Sequence, residues 1–336
     1  MAVPASEALK LPAALEVIRG NINKHGNPLG LKGQEVSGWA KGLDLPRRGD
    51  VLFYTAGEYQ MLPYIDSLVG ALERMQEGSI GFSLMMGVRN LFDRAGISAE
   101  KLYASVLAKD RDRFNAIVRK AAEVLQKMGL EICWLGEQEL YSGALLYEFG
   151  YGDDLRQHAR KVIDGFRSTG AKTIITLSPH TAEVLTQVYP KLDDTFDFKV
   201  KTFVEAVWEV MQQSDQRWPA ARISGLVTIH DACRMARELG ITEEIRGILG
   251  RLDGISIVEA EQNRRWTSCC GGPGKMVFPE ISKKVAARRV AELAATGAAT
   301  AVSFCPYCLA QLDAGRGDTK LEVVDFIELL AGGMLG

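Results

Sequence analysis

His230-Asp231-Ala232-Cys233, Ser268-Cys269-Cys270-Gly271-Gly272 and Phe304-Cys305-Pro306-Tyr307-Cys308 hold five of the six cysteines, in the pattern C-x35-CC-x34-C-x2-C. Thiolates bind soft metals, and a C-x2-C pair can place two sulfurs on one centre. Zinc takes four ligands in a tetrahedron, usually as two separated pairs. This stretch offers five, two of them adjacent. Neighbouring side chains diverge from an extended backbone, so Cys269 and Cys270 converge only on a sharp bend. Gly271-Gly272-Pro273-Gly274 supplies one, because glycine tolerates a positive φ. Five thiolates suit an iron–sulfur cluster, with ligands shared among several irons, and not a single zinc.

Outward from these segments the chain alternates apolar runs with helical patterns. In the second half the runs are Leu226–His230, Ile255–Glu259, Thr300–Phe304 and Leu321–Phe326. Similar runs recur in the same order in the first half: Val51–Thr55, Leu130–Gly136, Lys172–Leu177 and Val200–Glu205. Helical patterns lie between them at Tyr59–Met75, Arg111–Met128, Asp154–Thr169, Glu243–Leu252 and Pro279–Thr296. Buried, β-branched strands alternating with helices predict α/β units with mainly parallel sheets. The expected organisation is an N-terminal lead over 1–48, containing a short helix at Leu11–Ile22, and two tandem pseudo-symmetric α/β domains. These span 49–211 and 222–336, joined by a linker over 212–221. Extra helical sequence over Ser79–Asp110 has no counterpart in the second half.

Laid over the first half, the cysteine frame falls on Gly57, on Tyr141-Ser142 followed by Gly143, and on Ser178-Pro179-His180-Thr181. Every thiolate is gone, so the first half is expected to hold no cluster. His180 is placed to bind a ligand in the emptied pocket, the ordinary alternative being a satisfied buried histidine. His230, three residues before Cys233, is placed to hydrogen-bond a cluster sulfur, with the same alternative. Cys133, beside Trp134 in an apolar strand, reads as a buried hydrophobic thiol. Lys275 and Arg264-Arg265 flank the cysteine pair, either as solvated charge, as an offset to a negative cluster or as a partner-binding site.

The net charge of −2 gives no electrostatic case for nucleic acid or an anionic membrane. No run of 18 apolar residues exists, and Phe326–Leu335 is too short to span, so direct membrane insertion is not expected. The first residues lack a charged and an apolar signal region, which predicts a cytoplasmic setting where clustered cysteines bind metal or do redox chemistry.

The three cysteine segments with their flanks resemble the cysteine-rich CCG domain of the heterodisulfide reductase catalytic-subunit family. The likeness covers nearly the whole chain after about residue 25. It implies one [4Fe-4S] cluster per chain, cubane or noncubane, on Cys233, Cys269, Cys270, Cys305 and Cys308. It also implies an electron-transfer subunit of a cytoplasmic oxidoreductase complex, with partner subunits that carry flavin or further iron–sulfur clusters. Disulfide reduction at the cluster is the alternative, and a structural zinc module a third reading. Asn27-Pro28-Leu29-Gly30 through Trp39-Ala40 is similar to the segment that joins a ferredoxin-like domain to the first CCG domain in many relatives. No C-x2-C-x2-C-x3-C run for such a domain occurs in the sequence.

Overall fold

The computed structural model describes residues 13–65, 108–219 and 223–335. The chain enters through helix α1 (Ala13–His25) and reaches strand β1 (Val51–Tyr54). Residues 58–65 are helical, and most of the pattern over Tyr59–Met75 and Ser79–Asp110 lies outside the described residues. Then come α2 (Ala108–Lys127), β2 (Ile132–Cys133), α3 (Ala144–Glu148), α4 (Gly152–Thr169) and β3 (Thr173–Thr176). The first half closes with α5 (Pro179–Glu183), β4 (Lys199–Thr202) and α6 (Phe203–Met211). The second half runs through β5 (Gly225–His230), α7 (Glu243–Gly250), β6 (Ile255–Val258), α8 (Pro279–Ala294) and β7 (Thr300–Ser303). It ends with α9 (Pro306–Ala314), β8 (Glu322–Asp325) and α10 (Phe326–Met334).

Two four-stranded sheets form, ordered β2-β1-β3-β4 and β6-β5-β7-β8, and every strand pair in them is parallel. The two orders are the same when strands are matched by position in their half. In the first sheet Leu52, Tyr54 and Ile174 enter one apolar cluster, with Leu155, Val162 and Phe166 of α4. Phe53 and Ile175 enter the other, with Ile117 and Leu125 of α2. The alternation follows from the two-residue period of a strand, and both faces are apolar because helices cover both. β2 is shorter than the apolar run predicts, since the Trp134 amide leaves the ladder to bond the Pro46 carbonyl at 3.0 Å.

Matching boundaries have matching causes. Thr202 caps α6, accepting from the Glu205 amide at 3.2 Å, while the Glu205 carboxylate accepts from the Thr202 amide at 2.8 Å. Asp325 and Glu328 build the same reciprocal cap on α10. Such a box satisfies backbone donors that a helix start leaves open. Phe203 and Phe326, each next to its cap, approach with ring centroids 6.3 Å apart. A single apolar cluster includes Val207 of the first half and Val227, Leu249 and Leu309 of the second. The halves are also joined by Tyr59, which donates to Asp325 at 2.8 Å, and by Arg113 with Glu328 at 2.8 Å. Residues Trp218–Pro219 pair with Leu252–Asp253, which ties the predicted linker to the second half.

Candidate metal centre

The three cysteine segments leave the same end of the second sheet. β5 is central, with β6 on one side and β7 on the other, and His230 lies in register with Ser303. All strands are parallel, so the segments after β5, β6 and β7 emerge together at the carboxyl edge. The connection leaves β5 in one direction and returns to β7 on its other side, the arrangement that opens a crevice at a strand-order reversal. Cys233 follows β5 and Cys305 follows β7.

The sulfurs meet there. Cys270 Sγ lies 3.2 Å from Cys308 Sγ. Cys233 and Cys269 share a hydrogen bond, as do Cys269 with Cys270 and Cys305 with Cys308. The contacts run in an unbroken chain 233–269–270–308–305. The bend at the cysteine pair is the expected one: Gly271 has φ +82°. Its amide donates to Cys269 Sγ at 3.2 Å, and that of Gly272 to Cys270 Sγ at 3.4 Å. Hydrogen bonds from Cys269 and Cys308 lower the Cys270 pKa to about 5. Burial raises that of Cys305, but hydrogen bonds from Cys308 and His180 outweigh it and bring it well below the usual thiol range. Cys133 stands apart in the first sheet, its thiol 3.7 Å from the Gly49 carbonyl.

His230 is fully buried, with a ring nitrogen within 4.8 Å of the Cys270 and Cys308 sulfurs. Its Nδ1 accepts from Arg289 Nε at 3.1 Å. An arginine only donates, so Nδ1 is bare and the ring proton sits on Nε2. Burial, with Arg289 beside it, lowers the His230 pKa to about 3, so the ring stays neutral. Nε2 has no partner among the described residues. An orphaned donor beside a sulfur cluster fits a group with acceptor sulfurs in that space, and it makes Nε2 a donor, not a ligand.

Charge fixes the loops. Asp231, fully buried, takes Arg246 at 2.8 and 3.0 Å and the Arg264 amide at 2.6 Å. The segment before Cys233 is thereby tied to the one before the cysteine pair. Arg264 also meets Glu243 at 2.6 Å and Glu259 at 3.4 Å, so its charge is spent on carboxylates. Arg246 and Arg289 were not singled out in the sequence, where Asp231 stood only as a flank of Cys233. Arg246 and Arg289 read as ordinary helix charges, and only Asp231 had a signal, its place two residues before Cys233.

The first half brings its matching positions together too. Ser178 and Cys305 each cap a helix with proline in its first turn, directly after the third strand of their half. Gly143 has φ +78°, beside +82° at Gly271. Thr181 lies 2.9 Å from Ser142 and donates to Glu58 at 2.8 Å. A hydroxyl–carboxylate cluster therefore stands where the second half has sulfurs. Burial raises the Glu58 pKa to about 7. Glu58 gave no signal in the sequence, because nothing local shows that it turns into this space. The His180 side chain reaches the second half. Its ring lies against Tyr307 of the second half, centroids 4.7 Å apart, and hydrogen-bonds Cys305.

Residues 227–313 match the family described as the CCG cysteine-rich domain. Over 224 residues the chain is 30% identical to a dihydromethanophenazine:CoB–CoM heterodisulfide reductase subunit of Methanosarcina mazei, covering 64% of this chain and 54% of that one. It is 28% identical over 231 residues to the protein named probable iron-sulfur-binding oxidoreductase FadF of Bacillus subtilis, covering 67% and 32%. It is 24% identical over 270 residues to EtfAB:quinone oxidoreductase of Syntrophomonas wolfei, covering 75% and 37%. The chain thus spans about half or less of the length of these curated relatives. Residues 227–313, which carry all five converging sulfurs, are therefore similar to the CCG cysteine-rich domain.

Proposed function

We propose that the chain is an iron–sulfur electron-transfer subunit of a heterodisulfide-reductase-like oxidoreductase complex. One [4Fe-4S]-sized cluster would be held by Cys233, Cys269, Cys270, Cys305 and Cys308. The observation that carries this reading is the unbroken chain of sulfur contacts at the carboxyl edge of one parallel sheet. Such a cluster supplies one-electron storage at a potential set by its surroundings. The residues around it hold thiolate charge through the Gly271 and Gly272 amides, present the His230 Nε2 proton and keep water out of a buried floor at Cys270, Cys305 and Cys308. The first half would hold no cluster, its equivalent space being taken by Glu58, Ser142 and Thr181. Partners would be flavin- or iron–sulfur-bearing subunits, and the setting the cytoplasm. Among the described residues no helix is long and apolar enough to cross a membrane.

The test is iron and acid-labile sulfide analysis with low-temperature electron paramagnetic resonance on anaerobically purified protein. The wild type should carry about four irons per chain. Cys270→Ser should lose or rearrange the cluster while the α/β core stays folded, and Cys133→Ser should keep it. A content near eight irons would overturn the empty first half. Loss of signal in Cys133→Ser with retention in Cys270→Ser would overturn the ligand set. Turnover of a disulfide with reduced viologen would instead make the chain a reductase.

A further inference from the structure

We infer that His180, carried by the half without the motif cysteines, is a positioning residue for the metal centre of the other half, its Nε2–H donating to the Cys305 sulfur. This rests on the iron–sulfur reading above and adds to it a role for the first half.

The geometry closes on itself. His180 is buried, and its Nδ1 lies 2.6 Å from Glu148 Oε1. With Nδ1 held by a carboxylate, the hydrogen bond to Cys305 falls to Nε2. Glu148 sits at the end of α3, with its side chain 8% exposed, and is held in turn by Arg234 at 3.0 Å. Arg234 follows Cys233 directly and also meets Glu183 of α5 at 2.5 Å. The path Cys233–Arg234–Glu148–His180–Cys305 therefore begins and ends on two of the converging cysteines and passes through the first half. The Tyr307 ring, within the C-x2-C pair, packs on the imidazole and limits its rotation. A carboxylate on one ring nitrogen fixes the orientation of the other, as it does behind metal-bound histidines.

This explains why a half stripped of the motif cysteines retains the frame of the site. Ser178 and Pro179 start α5 at the position that Cys305 and Pro306 take in α9. The next residue, His180, is the counterpart of Tyr307, and the two rings face each other across the boundary between the halves. A donor to a ligating sulfur disperses its negative charge, and hydrogen bonds to sulfur are among the factors that raise a cluster's potential. The reduced cluster carries the extra negative charge, so it gains more from the donor than the oxidised one.

The test is an anaerobic redox titration, followed by electron paramagnetic resonance, of the full chain as wild type, His180→Leu and His180→Gln, with iron counted per chain in each. His180→Leu should keep its iron and become at least about tenfold harder to reduce, a midpoint lower by about 59 mV for one electron. His180→Gln, which retains a donor, should fall between it and the wild type. An unchanged or higher midpoint in His180→Leu overturns the inference while leaving the cluster assignment standing. Loss of iron from both variants makes His180 structural and also overturns it. If wild type itself carries no iron, the proposed function fails first.

Discussion

Single residues decide how much charge the molecule can bury. Asp325 is fully buried at the cap of α10 and accepts from Tyr59. Burial, with Glu328 adding to it, raises its pKa from 3.8 to about 7. A carboxyl raised in the fold keeps its proton while the unfolded chain gives it up. Its contribution is fully present below about pH 3.8 and is lost as the pH climbs through about 7, on the order of 4 kcal/mol in all. Asparagine keeps the shape and caps a helix equally well. Asp325→Asn should therefore flatten the fall in stability between pH 5 and 8, read as urea midpoints at each pH. An unchanged slope would mean that Asp325 is ionised in the fold at neutral pH. Glu58, also pushed to about 7, acts in the same direction.

Among elements, the bend that follows the cysteine pair is constrained by both its backbone conformation and its packing. A Cβ on Gly271 would meet the Ser282 carbonyl oxygen at 2.9 Å and Val285 Cβ at 3.2 Å, and φ is +82°. Gly254 has the same φ with nothing nearer than Ser224 Cβ at 3.8 Å. Both Gly→Ala changes incur the left-handed penalty of about 1–2 kcal/mol. Only Gly271→Ala must also push α8 away or shift the bend. Thermal unfolding should place Gly271→Ala below Gly254→Ala, and only Gly271→Ala should lower iron per chain. Equal losses in both would show that the bend tolerates a side chain, contrary to the packing against Ser282.

At the scale of the whole molecule, the two halves are held by a shared core and close helix packing. A Cβ on Gly247 of α7 would come within 2.4 Å of the Trp208 ring of α6. The glycine lets a second-half helix lie against a first-half indole. Gly247→Ala gains about 1 kcal/mol of helix propensity but forces a rigid ring to move, an overpacking cost of about 1–3 kcal/mol. A net loss in chemical denaturation is expected. A more stable variant would show that the halves can separate there without penalty. The same boundary brings His180 to Cys305 and Arg234 to Glu148, so loosening it should reach the metal centre as well.

Much of this was legible in the sequence because it is local. Eight apolar runs became eight strands of two parallel sheets, and the glycine after Cys270 became a left-handed bend. The spacing of Ser142 and Ser178 marked the first half as a copy of the second, and the copy has the same strand order. Periodicity, capping and turn chemistry lie within a few residues of one another, so they can be read without knowing the fold. What packs against what could not be read. Arg289 fixing the His230 tautomer, Thr181 bonding both Ser142 and Glu58, and His180 crossing to Cys305 join residues 39 to 125 positions apart. Those contacts were decided by the tertiary structure, because a buried charge takes its partner from whichever side chain the packing of two sheets and their helices brings within reach.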